Sequence, residues 1–236
     1  MFCSLRPSIG WSAPIANLTR PQWKKLMAPL LPILLNNMGY PRTFPRAVVY
    51  APLALGGLGF VDFHTEQGFS HIMHLLYSIC LNNDVGRLLT VTLSWAQRYA
   101  GYSQSILAHP SLPMTHVPSP WLKTTMTHLL CTGCTIRYSI GNLPRLQRVY
   151  DRYVMYETVK MKPPLTAAIN RCRLFLQVET FADISSPSGL YFHHSLFRGV
   201  PCLPSTTTSL WPHQPNPGPR SWAIFRRFLR TYMHPS

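Results

Sequence analysis

Thr65-Glu66-Gln67-Gly68-Phe69-Ser70-His71-Ile72-Met73-His74-Leu75-Leu76-Tyr77-Ser78-Ile79 carries the pattern that sets the fold class. Phe69, Ile72, Met73, Leu76 and Ile79 recur at intervals of three and four residues, which places them along one side of an α-helix. No proline interrupts them, and Thr65 with Glu66 and Gln67 opens the run. The expectation is a helix whose apolar stripe faces a core.

The breakers mark the remaining helices, because 23 prolines and 13 glycines punctuate the chain. Upstream, Pro21 to Met38 reads as a helix preceded by Thr19, kinked or split at Pro29 and Pro32, and stopped at Gly39. Pro41 to Phe63 reads as extended, with a short strand at Ala47-Val48-Val49-Tyr50 and a turn at Gly56-Gly57-Leu58-Gly59. Downstream, helices are expected over Val85 to Tyr99, Pro120 to Leu130, Leu143 to Val159, Pro164 to Phe181 and Trp222 to Tyr232. The fold class is therefore mostly α, an irregular helical bundle with a few short strands and Pro-rich loops.

Proline clusters suggest the division of the chain. A helical subdomain with a short Gly-rich segment is expected over 1–108, a Pro-rich linker over 109–120 and a second helical subdomain over 121–184. A Pro/Ser/Thr-rich linker over 185–219 and a basic terminal helix over 220–236 complete it.

Lys and Arg number 22 against 7 Asp and Glu, a formal charge of +15 that arises from scarcity of acids, since only 12% of residues are charged. With few carboxylates to pair with, the guanidiniums are left for polyanions, and 11 Tyr, 11 Phe and 6 Trp offer stacking faces beside them. Nucleic acid is the expected partner. No apolar run reaches the length of a membrane span, the longest being Leu26 to Leu35 with two internal prolines, so no membrane partner is expected. Met1 to Ile9 lacks the pattern of a secretory leader, and the six cysteines are too sparse for a disulfide scaffold. These features point to an intracellular protein of the nucleus or cytoplasm, not a secreted one.

The same inventory argues against polymerase chemistry. Two-metal nucleotidyl transfer requires clustered carboxylates holding ions about 4 Å apart. The chain offers only Asp62, Glu66, Asp84, Asp151, Glu157, Glu179 and Asp183, with no adjacent pair. No catalytic residue, metal or cofactor is expected. His128, Cys131 and Cys134 have chelating spacing but lack a second pair, which suits buried reduced thiols better than zinc. His71 and His74 share a helical face without a carboxylate nearby, and the glycines at 56–59 lack the Lys-Ser/Thr of a phosphate loop. A small Cys/His metal-binding protein is the least favoured alternative.

Most functional content lies in cationic segments interleaved with aromatics. Arg145, Arg148 and Arg152 fall at three- and four-residue intervals beside Tyr150, Tyr153 and Tyr156, and would track successive phosphates if helical. Arg226, Arg227 and Arg230 lie in Trp222-Ala223-Ile224-Phe225-Arg226-Arg227-Phe228-Leu229-Arg230. Arg171 and Arg173 flank Cys172 in the preceding helical segment.

Pro45-Arg46-Ala47-Val48-Val49-Tyr50-Ala51-Pro52, then Gly56 to Gly59 and Thr65-Glu66-Gln67-Gly68, resembles the region just after the palm in non-LTR-type retrotransposon reverse transcriptases. The resemblance continues through Asp151-Arg152, Met155, Ile169 to Leu176, Phe181-Ala182-Asp183-Ile184, Trp211-Pro212-His213-Gln214 and Trp222. It extends over most of the chain, from about Leu18 to Arg230. It implies a thumb-and-connection-like piece, without fingers, palm, acidic metal motif or nuclease, that holds template-primer duplex while a palm does the chemistry. The upstream polymerase domains of the parent protein would then be partners. Binding of RNA or RNA/DNA duplex would be salt-sensitive and indifferent to sequence. The rival expectation is a relic or partner-docking module with no activity of its own, its apolar faces exposed.

Overall fold

The computed structural model describes residues 13–138, 146–201 and 211–232. Nearly all regular structure among them is helical. In chain order the α-helices are α1 (Arg20–Met27), α2 (Leu30–Asn37), α3 (Arg46–Tyr50), α4 (Phe63–Leu81), α5 (Asp84–Ala100), α6 (Pro120–Thr132), α7 (Pro163–Leu176), α8 (His194–Arg198) and α9 (Pro219–Tyr232). Short 3-10 turns occupy Leu53–Leu55 and Val154–Thr158. The mostly α class expected from the sequence is what the molecule shows. Among the described residues no strand forms, and the only β pairing is two isolated antiparallel bridges away from the expected strand, Tyr153 with Thr180 and Ser185 with Phe192.

Local chemistry explains the boundaries. Thr19 and Gln22 form a capping box at the start of α1. Pro29 separates α1 from α2, while Pro32 sits in the first turn of α2, where its missing N–H has no intrahelical acceptor to lose. Ala47 to Tyr50 forms a helix and not the expected strand. The Pro45 carbonyl accepts from the Val48 and Val49 amides, and Ala51, extended ahead of Pro52, ends the turn. Asp62 opens α4 and accepts from the Thr65 hydroxyl, and Asn82 closes it in the left-handed region at φ 48°. The Asn83 side chain caps α5 through the Gly86 amide. A Cβ on Gly86 would come within 2.0 Å of the Ser78 carbonyl oxygen, so glycine permits that approach to α4.

The chain forms two units, 1–86 with 120–128, and 87–119 with 129–236. The divisions fall inside α5 and α6, so each of these helices contributes to both. In the first unit, Leu31, Leu34, Leu35, Val49 and Phe60 form a buried apolar cluster backed by Tyr40, Phe44 and Leu58. A second, polar core lies along α4. Buried Gln67 accepts from the Leu18 amide and the Trp23 indole and donates to the Leu18 carbonyl. Buried His71 donates from Nε2 to the Ala16 carbonyl at 2.6 Å, and the Trp121 indole donates to the Pro14 carbonyl. The segment 14–18 is thus bonded to α4 and the first part of α6 by side chains that satisfy its backbone.

The buried face of α4 is not the expected one, although Ile72 and Ile79 of the expected stripe are half-buried. Gln67, Gly68, His71, Leu75 and Ser78 are buried, while Phe69, Met73, Leu76, Tyr77 and Leu81 are exposed. On that buried side the approach at Gly68 is close, where a Cβ would meet the His128 ring at 2.1 Å. Only a side-chain-free position lets α6 lie there.

In the second unit, α7 and α9 pack together and the Val154–Thr158 turn lies against α7. The core contains Ile169, Leu174, Leu176, Trp222, Phe225, Phe228 and Leu229. Phe175 meets Trp222 edge to face, and Phe181 packs near Phe228. The expected Pro-rich linkers carry packed residues. Met114 and Val117 of 109–120 are buried, with the Pro113 carbonyl accepting from the Tyr102 hydroxyl. Within 185–219, α8 buries Leu196, and the Trp211 indole donates to the Leu174 carbonyl. Composition reports the turns correctly, but proline also packs as an apolar ring.

Candidate nucleic-acid interface

Helix α9 begins at Pro219, whose fixed φ and absent N–H suit a first helical position. Ser221, Trp222, Phe225, Phe228 and Leu229 form its buried side. At about 100° per residue, Arg220, Arg226, Arg227 and Arg230 fall within an arc of about 120° opposite them. Arg220, Arg227 and Arg230 are exposed, and Arg226 is half-buried. No acidic residue occurs on this helix, and among the described residues none of the four arginines forms an ion pair. The Arg230 guanidinium lies 5.5 Å from the Phe197 ring centroid. Exposed Arg171 on α7 lies beside the start of α9, 3.5 Å from the Ser221 hydroxyl.

The other expected contacts stand differently. Arg145 lies outside the described residues. Of the expected helix over Leu143 to Val159, the described part, 146–159, is a set of bends and turns leading into the short 3-10 turn, so Arg148 and Arg152 do not share a helical face. Arg148 folds back onto the 185–189 loop, donating to the Ser186 carbonyl at 3.0 Å and to the Ser185 hydroxyl. Its guanidinium fills the space a Cβ on Gly189 would need. Arg152 pairs with Glu157 at 3.0 Å and lies over the Phe181 and Tyr232 rings.

Arg173 is the clearest correction. It is fully buried and donates to Asn170 Oδ1 and to the carbonyls of Arg98, Tyr99 and Val178. Burial lowers its pKa to about 10, opposed by the charge of Glu179. It ties the end of α5 to α7 and cannot reach an external phosphate. The α7 pattern itself contains this placement, since Arg173 is four residues after buried Ile169 and Asn170 precedes it by three. Arg220 is not among the expected contacts, although it belongs to the expected terminal segment 220–236 and lies in the first turn of the helix that Pro219 starts.

Three of the seven carboxylates come together in the second unit, which their sequence spacing does not announce. Asp183 accepts from the Glu179 and Thr180 amides at 2.8 Å and from the Gln147 side chain at 2.6 Å. Asp151 accepts from the Arg152, Ala182 and Gln147 amides. Both serve to hold the backbone where 152–154 meets 179–181. Glu179 is buried, and burial raises its pKa against the lowering effect of Arg173 and Arg98.

The Cys/His candidates separate likewise. His128 is buried near His64, with ring centroids 4.5 Å apart, and burial with the neighbouring histidines depresses it to about 4. Cys131 and Cys134 are exposed, contrary to the expected buried thiols, whereas Cys172 is buried and its thiol is pushed up to about 12. His71 is buried and His74 is half-buried. Among the described residues no group of three His, Cys, Asp or Glu side chains is placed to hold a metal ion. Nor is any described helix long and apolar enough to cross a membrane. Comparison with protein-family models, curated proteins and solved structures found no match.

Proposed function

We propose that the chain is a non-catalytic nucleic-acid-binding module, a post-palm piece of a retroelement reverse transcriptase that holds RNA or RNA/DNA duplex by its backbone. The observation that carries the reading is the outer arc of α9, four arginines with no carboxylate among them and Arg171 alongside. Such a stripe neutralises successive phosphates without reading bases. The order of the short sequence words from Pro45 to Trp222 supports the retroelement origin. Asp151 accepts from backbone amides, and Asp183 from two backbone amides and the Gln147 side chain, in keeping with a non-catalytic role.

The test is fluorescence anisotropy of the full chain with an RNA/DNA hybrid across a salt series. Binding should weaken steeply with salt and be indifferent to sequence. Arg227→Gln with Arg230→Gln should flatten the log-log salt slope by about 0.7 to 0.9 for each phosphate that is no longer neutralised. A folded chain that does not bind, or a slope unchanged in the variant, would remove the reading.

A further inference from the structure

Helices α7 and α9 enclose a half-open groove of about 530 Å³. Met161, Leu165, Ile169, Ala223 and Ile224 supply an aliphatic surface, with the largely buried Phe228 at its base. Arg220 and Arg227 stand along the α9 edge, two helical turns or about 10 Å apart. None of the lining residues is acidic.

From this groove we infer a docking site for an acidic amphipathic helix of a partner protein, apolar anchors in the groove and carboxylates against Arg220 and Arg227. The inference goes beyond nucleic-acid binding, which shares Arg220 and Arg227 but leaves the aliphatic surface unexplained. A nucleobase favours an exposed aromatic platform, whereas Phe228 is buried and the lining that reaches solvent, Leu165, Ala223 and Ile224, is aliphatic, as for a helix presenting anchors at i, i+4 and i+7. The volume suits a few such side chains, and the two arginines match carboxylates two turns apart.

None of the acidic residues in this sequence forms such an occupant. Its seven acids are scattered from Asp62 to Asp183, and its closest spacing within four residues, Asp62 with Glu66 and Glu179 with Asp183, lies at the N-terminal end of α4 and in the buried loop after α7. A second copy would bring only further positive charge to an arginine-lined edge. Complementarity therefore points to a different, acidic protein.

A fluorescein-labelled, lactam-stapled peptide of about three turns serves as probe, with leucines at i, i+4, i+7 and i+11 and glutamates seven residues apart on one flank. Saturable binding to the full chain is expected, with none by a peptide of scrambled order. Leu165→Gln with Ile224→Gln, and separately Arg220→Gln with Arg227→Gln, should each weaken it about tenfold or more. Arg226→Gln with Arg230→Gln should leave peptide binding intact while weakening the RNA/DNA hybrid. Leu165 is an exposed helical position, so Leu165→Gln alone carries the test if circular dichroism shows the double variant unfolded. Equal binding of ordered and scrambled peptides, no binding, or indifference to the groove variants would overturn the assignment. So would loss of hybrid binding in Leu165→Gln with Ile224→Gln, which would give the groove to nucleic acid.

Discussion

Helices α4 and α9 are both amphipathic by sequence, yet they use their faces in opposite ways. On α9 the apolar residues are inside and the arginines outside, as burial energetics alone would arrange them. On α4 the polar Gln67, His71 and Ser78 are inside, and Phe69, Met73 and Tyr77 are in contact with solvent. The difference arises from partners. Helix α9 packs on the apolar surface of α7, whereas α4 receives an irregular segment, 14–18, whose backbone groups require hydrogen bonds that only polar side chains supply. A helix face is thus chosen by what it must satisfy as well as by what it can hide.

The largest expected effect lies on the conventional side of this contrast. Phe225 is fully buried among Trp222 and the α7 core, so Phe225→Ala should cost about 3 to 5 kcal/mol in urea unfolding followed by circular dichroism. A cost under about 1 kcal/mol would show that α9 is not packed as described.

Acid should separate the two regions next. His128 is depressed to about 4 and His71 is also lowered, so above pH 6.5 both are neutral whether folded or unfolded. As pH falls below 6.5 the unfolded chain takes up protons first, and folding stability declines, through His128 alone by about 2 kcal/mol at pH 5. The buried side of α9 has no titratable group, and Glu179, whose pKa is raised, acts with the opposite sign. Its charged form is disfavoured in the fold, so its contribution improves as pH falls through its raised folded pKa toward 4.5. Hydrogen exchange at pH 7 and pH 5 should show protection lost around α4 first; equal loss in α7 and α9 would contradict the polar core.

The smallest effect sharpens the comparison most. Phe69→Ser with Tyr77→Ser, at positions 60% and 65% exposed, should change stability by only about 0.5 kcal/mol or less and reduce self-association of the purified chain. A loss of several kcal/mol in urea unfolding would restore that stripe to a core.

Legibility in the sequence follows the same divide. Proline and glycine place most helix ends, and Trp222, Phe225, Phe228 and Leu229, which form the buried side of α9, recur at intervals of three and four. Periodicity fails at Arg145, Arg148 and Arg152, where intervals of three and four suggest a helix although the chain from 146 to 153 is irregular. Spacing has meaning only after the element exists, and no cap or stop defines one there. Charge alone puts Arg173 on the surface, although its phase with Ile169 already places it inside.

Composition and periodicity by themselves determined the mostly helical class, the positive charge and the cationic outer arc of the last helix, because these depend on local propensity and on residues counted or spaced along the chain. Only the tertiary structure decided which face of α4 is inside, that Arg173 is a structural donor, that Asp151, Glu179 and Asp183 meet, and that α7 and α9 leave a groove between them. Each of these depends on which distant backbone groups arrive without partners and which surfaces are brought together, and that information is carried by contacts between segments far apart in sequence.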